Sequence, residues 1–70
     1  MVTIEQVVFQ PKSSWQKDDC LFCDNKALLE AVVGKENVES HIRCCTEPEC
    51  KNRAAELAVE ETNFCLHHIK

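Results

Sequence analysis

Six cysteines and three histidines stand in a chain of 70 residues, and most of them fall in pairs at short spacing. Cys20-x2-Cys23 is followed by His41-x2-Cys44, then Cys45-x4-Cys50, then Cys65-x2-His68. Zinc prefers thiolate and imidazole donors, four to an ion in a closed tetrahedron when its role is structural. A two-residue spacing lets a tight turn or one helical turn aim both side chains at the same ion. Eight ligands in four pairs therefore suit two zinc ions, and at least one is expected. Filled in chain order, one ion takes Cys20, Cys23, His41 and Cys44, and the other takes Cys45, Cys50, Cys65 and His68. This order closes the shorter loops, at lower entropic cost. Two arrangements stay open beside it. The pairs can interleave, the first with the third and the second with the fourth. Alternatively, a single ion takes Cys20, Cys23, Cys45 and Cys50, leaving Cys44 and Cys65 as ordinary buried thiols, a common state of free cysteine. His67 is an alternative to His68, since Cys65-x-His67 is also a workable spacing.

The adjacent pair in "RCCTEPEC", Arg43 to Cys50, fits the two-ion arrangement. Neighbouring side chains of an extended backbone point to opposite faces. Cys44 is thus expected to close one site and Cys45 to open the next. The second half, through "CTEPEC" and "CLHH", resembles small zinc fingers built as Cys-x4-Cys followed by Cys-x2-His. The number of pairs is similar to that of the eight-ligand RING, MYND and PHD-type modules, which mostly mediate protein contacts. The finer spacings match none of them.

The alternative use for so many cysteines is a disulfide framework. The opening "MVTIEQVVFQ" has no basic n-region, no long apolar core and no cleavage pattern, so it does not read as a signal peptide. With Met1 at the start, an intracellular setting, cytoplasmic or nuclear, is expected, where stable disulfides are rare. Metal ligation is therefore the expected use. No segment approaches the roughly 20 apolar residues of a membrane helix. A chain this short buries only about 60% of its unfolded surface, and domains of that size often need a metal, a disulfide or a partner.

The elements that must position these ligands point to a small zinc-stabilised α+β domain. The whole chain, 1–70, reads as one domain, with an N-terminal strand and loop over 1–19 and a zinc-binding region over 20–68. Residues 2–9, "VTIEQVVF", mix alternation with β-branched content and read as a strand ended by Pro11. Trp15 then plugs the core or anchors a partner. For 24–37, "DNKALLEAVVGKEN", two readings compete. One is a helix capped near Asp24 or Asn25 and stopped at Gly34, with a second short helix over 36–43. The other is a β-hairpin turning at Gly34–Asn37. The helix is the expected form. "TEPE" fits a capping box with Thr46 as N-cap and Glu49 three residues on, and Pro48 is tolerated in the first turn. A longer helix over 47–62 follows, its seam Cys50, Ala54, Leu57, Ala58 and Glu61, with Asn63 as its stop.

Charge and motifs narrow the function classes. The net charge is −4. The nearest basic cluster is only Arg43, Lys51 and Arg53, which suits nucleic acid poorly, because phosphate contacts dominate that affinity. There is no HExxH, no His-x-Glu deaminase signature and no glycine-rich phosphate loop. "CLFC" shares the Cys-x-x-Cys of redox sites but lacks their βαβ setting. The expected function is a small zinc-binding module or regulator that docks on a larger protein, the zinc being structural and the chain not an enzyme. Its candidate contacts are the open face of strand 2–9, Trp15, and Glu56, Glu60 and Glu61 on the last helix. A nucleic-acid-binding finger and a redox protein or metal-dependent enzyme are the alternatives. Strand 2–9 also offers a route to a homo-oligomer by edge pairing.

Overall fold

In a computed structural model that describes residues 1–12 and 19–68, the chain is a three-stranded antiparallel sheet with one long helix packed on it. One turn of 3-10 helix, Ile4–Gln6, leads into β1, Val8–Pro11. β2, Leu29–Lys35, and β3, Val38–Cys44, form a hairpin, and α1 runs Pro48–His68. The strand order is β1-β2-β3, so β1 and β3 are the edges. Trp15 lies outside the described residues.

The expected strand over 2–9 is corrected at its start. Gln6 turns back on Thr3: its side-chain oxygen accepts the Thr3 N–H at 2.8 Å, and its own N–H donates to the Thr3 carbonyl at 3.0 Å. This local exchange makes a helical turn out of residues whose apolar pattern alone suggests a strand. Pro11 belongs to β1, the strand at one edge of the sheet, where its missing N–H is tolerated.

The expected helix within 24–37 and the short helix over 36–43 are corrected too, in favour of the hairpin. Ser40, Ile42 and Cys44 are buried, while Glu39, His41 and Arg43 are exposed, a period of two that only a strand satisfies. Ala31 and Val33 of β2 face the same side, paired with Ile42 and Ser40. Leu28, just before β2, is exposed. The two-residue turn is Glu36–Asn37, with Glu36 in the left-handed region at φ 57°. Gly34 lies two residues earlier for a different reason: a Cβ there would meet the Val38 carbonyl at 3.0 Å.

The C-terminal helix is longer than expected. Pro48 takes its first position and the Glu47 carbonyl accepts the Lys51 N–H, so it starts beyond Thr46. Its buried seam is Cys50, Ala54, Ala55, Ala58 and Thr62. Asn63 does not stop it, because its side chain is engaged elsewhere. Asn63 Oδ1 accepts the Val2 N–H at 2.8 Å, and its Nδ2 donates to the Val2 carbonyl at 3.1 Å. Thr62 Oγ1 donates to Ser40 Oγ at 2.8 Å in the core. Among the described residues the core is made mainly of small side chains, and the largest that are fully buried are Thr62 and Cys44. Small residues let the helix approach the sheet closely, but they bury little apolar area each.

Replacing Asn63 with Ala removes both bonds to Val2. The expected loss is about 1–2 kcal/mol of stability, read by denaturant titration, with faster amide exchange at Val2.

Candidate metal centre

Four sulfurs, those of Cys20, Cys23, Cys45 and Cys50, lie within 4.8 Å of one another. Cys20 and Cys23 come from the turn before β2. That turn is closed by the Cys20 N–H donating to the Asn25 carbonyl at 2.7 Å and by a bridge between Asp19 and Lys26. Inside it the Phe22 N–H points at Cys20 Sγ, 3.4 Å away. Cys45 follows the last residue of β3, and Cys50 sits in the first turn of α1. Arg43 Nε donates to the Asp19 carbonyl at 2.8 Å, which ties the end of β3 to the turn. Cys20, Cys45 and Cys50 are buried and Cys23 half-buried.

The donor set and its size fit one tetrahedral ion. Around a zinc with Zn–S bonds of about 2.3 Å, four sulfurs stand about 3.8 Å apart. The Cys23 and Cys45 sulfurs are 3.5 Å apart, far longer than a disulfide bond, and all six cysteines are free. Four soft thiolates select zinc or iron among common metals.

The electrostatics fit as well. Burial works against the Cys20 thiolate. The N–H groups of Phe22 and Cys45 and the thiols of Cys23 and Cys45 outweigh it, holding the Cys20 pKa at about 7. The Asn25 N–H favours the Cys23 thiolate, but burial and the thiols of Cys45 and Cys20 leave its pKa above the ordinary value. Burial, then the neighbouring thiols of Cys45, Cys23 and Cys20, push Cys50 up strongly. Cys20 is thus ready to ionise while Cys23 and Cys50 resist. A bound dication removes that conflict by displacing the protons.

The four other candidate ligands are not brought to this cluster, nor to one another as a second group among the described residues. Cys44 is fully buried in the core beside Ile42 and Ala31. Its pKa is raised by burial and by the charges of Cys20 and Cys45. The strand alternation expected at the adjacent pair holds, but one side of it is the apolar core. His41 is on the outer face of β3, held between Glu39 and Glu30. Cys65 is exposed on α1. His68 stacks on Phe64 one helical turn back, ring centroids 4.4 Å apart, and His67 lies edge-on to His68 at 5.4 Å.

Compared with protein-family models, curated proteins and solved structures, the chain matches none.

Two outcomes are expected here. In cobalt(II) or zinc titrations, Cys45→Ser weakens binding at least tenfold, whereas Cys44→Ser leaves the stoichiometry unchanged and costs about 1–3 kcal/mol of fold stability through its buried hydroxyl. The bond to Glu39 and the contact with Glu30 raise the His41 pKa against the effect of burial. The folded state therefore holds this proton more tightly than the unfolded chain. The stabilisation is fully present below the ordinary imidazole value of about 6.5 and is lost as pH rises through the folded-state value. An NMR titration should place His41 above that ordinary value, and Glu39→Gln should lower it.

Proposed function

We propose that the chain is a zinc-stabilised protein-interaction module, with one structural ion held by Cys20, Cys23, Cys45 and Cys50. The convergence of those four sulfurs from a turn, a strand end and a helix start carries the reading. Four protein thiolates complete a zinc tetrahedron and leave no open position for a substrate or an activated water. The ion then acts as a cross-link, holding the Cys-x2-Cys turn against the junction of β3 and α1. Function falls to the surfaces so displayed, and the partner is a larger protein.

The nucleic-acid alternative loses support from the same contacts. Arg43 is committed to the Asp19 carbonyl, and Lys51 Nζ lies 5.1 Å above the Phe9 ring. Only Arg53 of that trio lacks such a packing role among the contacts described, and one cation makes no phosphate-tracking stripe. No helix among the described residues is long and apolar enough to cross a membrane.

Structural zinc contributes on the order of 10–16 kcal/mol to the folding of small modules. Complete chelation should therefore abolish most helical circular dichroism, with recovery on adding back one equivalent of zinc. A spectrum unchanged by metal removal would sink the proposal.

A further inference from the structure

A groove of about 580 Å³ runs between the outer edge of β3 and the C-terminal half of α1, at the other end of the helix from Cys50. Its walls include Glu39 and His41 from β3 and Leu57, Glu60, Glu61 and Phe64 from α1. Leu57, Glu60 or Glu61, and Phe64 recur at helical spacing and so share one side of the helix. Phe64 is 66% exposed, an aromatic ring turned to solvent beside three carboxylates. No strand pairs with β3 on this side among the described residues.

We propose that this groove docks an extended basic segment of a partner protein, one whose helix-facing side chains mix lysine or arginine with apolar residues. The inference rests on the interaction-module reading and names its surface and the chemistry of its partner. Three features converge on that occupant. An edge strand offers backbone donors and acceptors to an added strand. The apolar floor of Leu57 and Phe64 accepts the apolar side chains of such a strand. Glu60 and Glu61 meet its cations, and the chain as a whole is acidic at net charge −4. His41 shares the wall, but Glu39 and Glu30 flank its ring, so it adds no uncompensated positive charge. The scale also fits. From Leu57 to Cys65 a helix rises about 12 Å, matching about four residues of extended chain.

The test uses the zinc-loaded chain and a fluorescein-labelled lysine–valine peptide of two Lys-Lys-Val-Val repeats, which bring lysine and valine by turns to the same face. Glutamate–valine and lysine–serine repeats serve as controls. Anisotropy should show binding of the lysine–valine peptide alone, weakened at least tenfold by 0.5 M salt. The double variant Glu60→Gln, Glu61→Gln and the single variant Phe64→Ala should each weaken binding at least fivefold. These residues are exposed, and unchanged circular dichroism and zinc content confirm that the variants fold. Amide shifts in NMR spectra should cluster on 38–42 and 57–65. Three results would overturn the inference: no binding by the folded, zinc-loaded protein; equal binding by the glutamine variant; or a dimer in sedimentation whose β3 edges pair with each other. In all three the protein still holds its zinc, so the module reading survives them. A protein that holds no metal and stays folded overturns that reading instead.

Discussion

The constraint that ties the parts of this fold together is the meeting of four thiols at one point. The two halves of the cluster are far apart in sequence, Cys20 and Cys23 on one side and Cys45 and Cys50 on the other. Between them lies the whole β2–β3 hairpin. Closing the cluster therefore closes the hairpin against the start of the helix. The need for such a closure is visible in the core. Among the described residues its buried members are mainly alanine, valine and cysteine, and no aromatic is fully buried. A hydrophobic core of that kind rarely supplies more than about 3–5 kcal/mol in so small a domain. A metal ion held by the four thiols would add a cross-link at this point.

The same junction explains the adjacent cysteines. Strand alternation sends Cys44 inward to pack with Ile42 and Ala31, while Cys45, one residue on, turns to the sulfur cluster. Apolar core and sulfur cluster thus share a boundary one peptide wide. Beyond it the helix is fastened at intervals: at Cys50 by the cluster, along Ala54 and Ala58 by close packing, and at Thr62 and Asn63 by side-chain bonds to Ser40 and Val2. The polar fastenings allow the helix to outrun its apolar seam and to present Phe64 and its neighbours beside the free edge of β3.

Part of this was legible in the residues. The cysteine spacings pointed to a cluster able to hold a metal, and Cys20, Cys23, Cys45 and Cys50 were recognisable as the one-ion alternative to the expected two-ion arrangement. "TEPEC" marked the helix start to within a residue or two. Other features were hidden because local pattern is ambiguous. Residues 27–31 are good helix formers, but Val32, Val33 and the strict alternation of "VESHIRC" outweighed them once strands could pair. That alternation was the available signal for the hairpin. Asn63 looked like a stop because its side chain can compete with the backbone. Its engagement by Val2, 61 residues away, is a tertiary fact. The histidines were the least legible. A ligand-like spacing does not show that His41 faces two glutamates or that His68 lies on a phenyl ring.

The central claim is a single tetrahedral site made of sulfur alone. X-ray absorption at the zinc edge of the purified protein, with the metal content measured on the same sample, tests it most directly. The account predicts one zinc per chain and a single shell of four sulfurs at about 2.3 Å. Two zincs per chain, or a shell of three sulfurs and one nitrogen, would contradict it and return His41, Cys44, Cys65 and His68 to the metal.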